Sequence, residues 1–152
     1  MKTPVISAAL LAICLFRMSL FAETPVIPDQ VLDRLKTRTV DLYPDAVRIR
    51  WQLHRMPEPC FQENETSRFI ADYLRELGLE VETGIGGTGI KAILRGTKDK
   101  PVVGIRADMD ALPIPEETGL PFSSANEGFM HACGHDGHMT YALIAAQVLS
   151  GM

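Results

Sequence analysis

The chain has 152 residues, of which 46% are hydrophobic and 22% charged, and its formal net charge is −4. That length suits one ordinary domain with a real core and is too short for two, and the composition excludes a disordered or fibrous protein. The acidic balance argues against nucleic acid as a partner.

The first residues predict a secretory signal peptide, residues 1–22. Lys2 gives a positive start, residues 5–16 form an apolar stretch, and Ala22 is a small residue at the expected cut. The stretch is too short to span a bilayer well. We therefore expect a mature domain, residues 23–152, that is periplasmic or secreted and not stably inserted in a membrane.

Arg17 and Leu20 depart from an ideal signal, which leaves an uncleaved anchor as an alternative. Cleavage would lower the count of basic residues from 15 to 13 against 19 acidic ones, for a net charge of −6. It would leave two cysteines, Cys60 and Cys133, in an oxidising compartment. A disulfide between them is conceivable.

Helical spacing of apolar residues dominates the next part of the chain. It predicts two helices between Pro28 and His54, divided near Pro44, and Pro57-Glu58-Pro59 ends the second. Another helix is predicted from Glu63 to Gly78, with an apolar stripe of Phe69, Ile70, Tyr73, Leu74 and Leu77.

Three strands are predicted after this helix, at 79–82, 90–94 and 101–107. In the third, Val102, Val103 and Ile105 form a nearly continuous apolar run, which is typical of an interior strand covered on both faces. The alternation of helices and strands predicts an α/β fold.

Three features favour structural interpretations over functional ones. The glycines of 84–89 match the dinucleotide-binding pattern Gly-x-Gly-x-x-Gly, but a strand follows where that pattern requires a helix, so a hairpin turn is predicted. Glu116-Glu117 is interpreted as a solvated turn rather than a catalytic pair. Cys60 is interpreted as a small buried residue rather than a nucleophile.

A long segment, residues 108–136, is rich in Pro, Gly, Ser and Asn and precedes a predicted helix that runs from Met139 to the end of the chain. Long loops inside compact domains are usually functional. Asp108 and Asp110 alternate at its start, at the carboxyl end of the predicted third strand, where open α/β sheets place their sites.

Three of the four histidines lie in residues 131–138, around Cys133. Imidazole and thiolate are the common ligands of zinc-like ions, although a polar loop with hydrogen-bonded histidines explains this composition equally well. Neither a Cys-x-x-Cys pair nor His-Glu-x-x-His is present. Cys133 and His135, two residues apart in a loop, can both reach inward, whereas His138 lies a further turn into the helix.

These residues resemble the amidohydrolase family of hippurate hydrolases, N-acyl-L-amino-acid amidohydrolases and indoleacetyl-amino-acid hydrolases, within the aminoacylase and carboxypeptidase group of metallopeptidases. The resemblance runs from about Val47 to the end. It is carried by Leu53-His54, Pro57-Glu58, Leu77-Gly78, Thr88-Gly89, 104–113, 117–122 and 131–138. Pro59-Cys60 departs from the family pattern, at no ligand position.

The resemblance implies an incomplete zinc-exopeptidase-like catalytic domain, with helices packed on a mixed, largely parallel sheet. It implies that Cys133 and His135 bind two divalent metal ions (Zn, Mn, Co or Ni) and that Asp108 and Asp110 orient the ligands and tune their charge. A metal-activated hydroxide would then cleave the amide of an N-acyl amino acid or small peptide, with a glutamate as proton shuttle.

In that family the catalytic glutamates, the other metal histidines and a lid-like dimerisation domain lie downstream in a longer chain, which implies a homodimer for full-length relatives. We therefore expect the 152 residues alone to be an inactive fragment. One alternative is a non-catalytic metal-binding or interaction module derived from this fold. Another is a thiol redox protein that uses Cys60 and Cys133.

Overall fold

Helices and one hairpin make up the regular structure of residues 27–152, the part of the chain that this computed structural model describes. The predicted signal peptide lies outside the described residues. In chain order the elements are α1 (Asp29–Asp41), α2 (Tyr43–Arg55), α3 (Asn64–Glu76), β1 (Glu80–Ile85), β2 (Gly89–Ile93) and α4 (His135–Ser150). Within this range no helix has the length and apolar character needed to cross a membrane.

The predicted division near Pro44 is confirmed, because α1 ends at Asp41 and α2 begins at Tyr43. Pro44 lies in the first turn of α2, where its missing N–H costs no helical hydrogen bond. Residues 34–152 form one compact unit, which contains most of α1 and all the later elements.

Glu58 holds the start of α3 from outside the helix. Its carboxylate oxygens accept hydrogen bonds from the backbone N–H groups of Glu65 (3.1 Å) and Thr66 (2.8 Å). The first N–H groups of a helix have no partner inside it, and the positive end of the helix dipole favours an anion there. The short Pro57-Glu58-Pro59 segment therefore both ends α2 and caps α3.

The core is formed where three helices meet. Its buried side chains come in pairs from α2, α3 and α4, and they are Ile49, Leu53, Ile70, Leu74, Met139 and Leu143. The hairpin adds partly buried side chains to the same cluster, among them Val81, Ile90 and Ala92. Helices α2, α3 and α4 thus bury apolar residues at helical spacing, whereas α1 has no buried residue.

Strands β1 and β2 pair antiparallel, with Glu80 opposite Ile93 and a register irregularity between Thr83 and Ile85. This confirms the hairpin interpretation of the glycine-rich segment, since a strand and not a helix follows it. Gly89 is required by close approach, because a Cβ there would lie 2.4 Å from the carbonyl oxygen of Ile85.

The predicted third strand is wrong for the described part of the chain. Residues 101–107 form no ladder with β1, β2 or any other described segment, and Val102, Val103 and Ile105 are 87%, 82% and 63% exposed. A strand needs a neighbour to satisfy its N–H and C=O groups, and residues 27–152 provide none beside this segment. The α/β class is confirmed, with the antiparallel hairpin as the sheet of the described residues.

Candidate metal centre

The long loop between β2 and α4 is fastened to the Pro57–Pro59 segment. The N–H of Ala111 donates to the carbonyl of Glu58 (2.8 Å), and the amide of Asn126 donates to the carbonyl of Pro57 (2.7 Å). Leu112 and Met130 bridge the two sides of the loop through a pair of 3.0 Å backbone hydrogen bonds. These hydrogen bonds therefore hold the loop immediately after Asp110 and immediately before His131.

His135 is the first residue of α4, and its ring is fixed from one side. Its Nδ1 lies 2.8 Å from the carbonyl oxygen of Asp110 and 3.2 Å from the Oδ1 atom of the same residue. A carbonyl oxygen can only accept, so Nδ1 carries the proton and donates. In the neutral ring the lone pair is then on Nε2, which is the arrangement of a metal-binding histidine.

Cys133 lies two residues before His135 and is an exposed free thiol. Gly134 between them has a φ of +77°, a left-handed conformation that turns the chain into α4. The thiol and the imidazole thus flank one tight turn at the mouth of the helix.

Cys60 is also free and exposed, so the interpretation as a buried residue is wrong. It follows Pro59 in a surface turn, where no neighbouring segment covers its small side chain. Neither cysteine forms a disulfide in the structure.

Asp110 contacts His135 directly, and Asp108 is close enough for its charge to interact with that of His135. Arg106 donates to Asp108 at 2.7 Å, and this hydrogen bond and charge hold the pKa of Asp108 below its usual value, with smaller contributions from His135 and His138. The ring of His138 is 5.7 Å from that of His135. An ionised carboxylate and two imidazoles therefore share one small region.

Sequence reasoning missed a buried charged cluster next to this region. His54, at the end of α2, is 5% exposed, and its Nδ1 and Nε2 atoms lie 2.9 Å from Asp136 and 3.2 Å from Glu116. Arg50 donates to the same Asp136 oxygen at 3.2 Å. The Leu53-His54 pair was noticed only as part of a resemblance, and no local pattern links it to residues more than 60 positions away.

The interpretation of Glu116 as part of a solvated turn is wrong. Its side chain is 3% exposed and also accepts hydrogen bonds from Thr118 and from the N–H of Ser124 (2.6 Å). Burial raises the pKa of Glu116, but the bonds from Thr118, Ser124 and His54 outweigh it and lower the pKa to about 2. Glu117, its neighbour, is exposed as predicted.

His131, the first histidine of the cluster, is 3% exposed, and neither ring nitrogen has a hydrogen-bond partner. Burial lowers its pKa, against the opposing charge of Asp136. The ring therefore favours its neutral form.

The donor chemistry fits a divalent ion only in part. Cys133 and His135 are a thiol and an imidazole with an accessible position, the ligand types that zinc-like ions prefer. Among residues 27–152, however, no three His, Cys, Asp or Glu side chains gather as a metal-holding group. Two donors are fewer than a stable zinc site needs.

An exposed thiol and an oriented imidazole at the start of a helix, in an α/β fold, are donor types that metal-dependent enzymes use. Residues 104–152 match the family model of peptidase family M20/M25/M40, which confirms the predicted resemblance for this part of the chain.

Two curated relatives and one solved structure show how far the similarity extends. The chain is 48% identical over 112 residues to hippurate hydrolase of Campylobacter jejuni, covering 73% of this chain and 29% of that protein. It is 52% identical over 97 residues to N-acetyldiaminopimelate deacetylase of Brevibacillus brevis, covering 63% and 26%. A crystal structure of the Bacillus subtilis protein YXEP, described as a dinuclear metal-binding peptidase from the M20 family, superimposes with a TM-score of 0.68 at 41% identity, over 76% of this chain and 32% of that one.

The chain thus spans less than a third of the length of these proteins.

Proposed function

We propose that these residues belong to an amide hydrolase that acts on N-acyl amino acids or small peptides with the help of two divalent metal ions. The observation that carries the proposal is the bond from His135 Nδ1 to the Asp110 carbonyl, which leaves Nε2 as the ligand atom, in a residue two positions after the exposed thiol of Cys133. The names of the relatives, a hippurate hydrolase and a deacetylase, support the substrate class.

In this proposal Cys133 and His135 would hold a metal ion, which when bound would supply Lewis acidity toward an amide carbonyl and water. Asp110 orients the imidazole of His135 through its backbone. Asp108, kept ionised by Arg106, adds negative charge next to the ligands, which favours a cation there. These two ligands do not determine whether the metal is zinc, manganese, cobalt or nickel. Further ligands would decide this.

We expect the 152 residues alone to be inactive, because we assign two metal donors and no general base among the described residues 27–152. The test compares hydrolysis of N-acetyl and N-benzoyl amino acids by this chain and by a longer protein that contains it and has the length of its relatives. We expect metal-dependent release of the amino acid from the longer protein only. An enzyme-like rate from the 152 residues would overturn the two-donor account.

A matched pair of variants tests the role of the thiol. Cobalt bound by a thiolate shows a sulfur-to-metal charge-transfer absorption, which we expect in the native chain and in Cys60→Ser, and not in Cys133→Ser. Both cysteines are exposed and free, so the two variants differ in position and not in chemistry. Equal spectra from both variants would contradict the proposed site.

A non-catalytic metal-binding or interaction module is the second candidate, favoured by the lack of a third donor among residues 27–152. Metal binding by the longer protein, without hydrolysis of any N-acyl amino acid, would support this alternative. The redox alternative requires the two sulfurs to pair, and alkylation before and after reduction tests it.

We also propose that the protein is exported through residues 1–22 and works in the periplasm or outside the cell, as a homodimer at full length and without nucleic acid. The mature N-terminus is expected at Glu23. Sequencing the N-terminus of the protein recovered from the periplasm or medium checks this.

A further inference from the structure

His54 connects the two chain segments that contain the candidate metal centre. It lies on α2, while one of its carboxylate partners, Asp136, lies in the first turn of α4 and the other, Glu116, lies in the long loop. All three side chains are nearly inaccessible, at 6%, 1% and 3% exposure. Such a buried arrangement is fixed in geometry because each charge depends on its partners.

Both contacts of His54 are hydrogen bonds at the same time when both ring nitrogens carry protons. Glu116 is ionised at neutral pH, since its pKa lies at about 2, and it can only accept. Asp136 shares its Oδ2 atom between His54 and Arg50, at 2.9 and 3.2 Å. Each ring nitrogen of His54 therefore faces a carboxylate oxygen at hydrogen-bond distance.

Asp136 directly follows His135 in the first turn of α4, so whatever fixes Asp136 also fixes the backbone from which His135 projects. Glu116 similarly receives the N–H of Ser124 and holds the loop that begins at Asp110. The hydrogen bond between His135 and Asp110 thus joins two segments that are each attached to His54.

We propose that His54 is a positioning residue for the metal centre: through Asp136 and Glu116 it sets the place and ring orientation of His135 relative to Asp110 and Cys133. It touches neither metal donor itself. The inference rests on the proposed function for the meaning of that position, but the positioning itself can be measured without metal.

The first experiment follows His135 in the metal-free chain by nitrogen NMR of its ring. In the native chain we expect the signal of a single tautomer, with the proton on Nδ1. His54→Leu removes both hydrogen bonds, and we expect the His135 signals to shift toward the mixture of an unconstrained imidazole. His54→Asn keeps a donor toward Asp136 and should restore part of the native signal. Unchanged His135 signals in folded His54→Leu would overturn the proposal.

Ile49→Val provides the matched control for general destabilisation. Ile49 is on the same helix, is 0% exposed and packs in the apolar core, and losing one methyl there typically costs ~0.5–1.5 kcal/mol. We expect it to lower the melting temperature while leaving the His135 signals in place. If it displaced them as His54→Leu does, loss of stability would account for both and the positioning role would be wrong.

The second experiment titrates the same proteins with cobalt. We expect His54→Leu to weaken cobalt binding by roughly 10- to 100-fold, the range known for partners that orient a ligand, with His54→Asn intermediate and Ile49→Val native-like. If the native chain shows no Cys133-dependent cobalt spectrum, the proposed function fails. The NMR result then still decides whether His54 positions His135.

Discussion

The Nδ1 atom of His135 lies 2.8 Å from the backbone carbonyl oxygen of Asp110, although the two residues are 25 positions apart. This hydrogen bond needs no side chain from residue 110, so a substitution of Asp110 would remove charge without removing the acceptor. The tautomer of His135 is therefore set by the course of the loop, and the ring presents Nε2 away from it.

Loss of His135 should weaken metal binding far more than loss of its neighbour His138. The two rings are 5.7 Å apart, but the backbone carbonyl of Asp110 fixes His135, whereas His138 is exposed. We expect His135→Ala to reduce cobalt affinity by roughly 100-fold or more, beyond the 10- to 100-fold typical of orienting partners. His138→Ala should change it less than tenfold, as measured by spectroscopic titration. A larger loss from His138→Ala would reverse the assignment of the ligand.

Glu116 should make the chain more stable above pH 4.5 than in strong acid. Its pKa in the folded state, about 2, lies below the ordinary 4.5, so its contribution is complete above pH 4.5 and is lost as the pH falls toward 2. Glu116→Gln should cost roughly 1–3 kcal/mol at pH 7, because an amide nitrogen, which cannot accept, replaces one of the two acceptor oxygens, and it should flatten this acid dependence.

Urea unfolding between pH 2 and 7 measures both effects of Glu116. Glu117→Gln is the matched control, since the neighbouring side chain is exposed and is expected to behave as native. An acid profile that is the same in Glu116→Gln and the native chain would contradict the assignment.

Glu58 should stabilise α3 as its external cap. Glu58→Ala removes the acceptor of the N–H groups of Glu65 and Thr66, and loss of a helix cap typically costs ~0.5–2 kcal/mol. Glu58→Gln keeps one acceptor oxygen and should recover part of the loss. Thermal unfolding followed by circular dichroism checks the order native, Gln, Ala, and a Gln variant no better than Ala would argue against the cap.

Val103 should be indifferent to a polar substitution in this chain, in spite of its apolar neighbours. It is 82% exposed, so Val103→Thr should change the free energy of unfolding by no more than ~0.5 kcal/mol. Leu143→Ala, in the core at 2% exposure, should cost roughly 2–5 kcal/mol. Denaturant titration compares the two, and a large cost for Val103→Thr would show that residues 101–107 are covered in solution.

Local patterns predicted what depends on neighbouring residues. The stripe of α3, the break before α2 and the hairpin at 84–89 all follow from spacing and from Pro or Gly chemistry. The meeting of Asp110 with His135 was predicted by an argument about strand ends, although that strand is not formed in the described chain. Asp110 and His135 nevertheless lie close together, because the loop is anchored at Glu58 and Pro57. No periodicity in the sequence reveals these contacts.

What the sequence did not predict depends on distant partners. Glu116 resembles any turn glutamate until His54 and Ser124 are seen around it. The predictions for Cys60 and for residues 101–107 were wrong for the opposite reason. Their composition favours burial, but no described element covers them. Composition indicates whether a residue favours burial, but whether it is buried depends on the segments that pack against it.

The uncovered run of Val102, Val103 and Ile105 has a consequence for the behaviour of the chain in solution. A β-prone stretch with free N–H and C=O groups is a template for pairing with the same stretch of another molecule. Self-association of the isolated chain would therefore begin at this segment and increase with concentration. A lysine in place of Val103 would oppose it without disturbing the helical core.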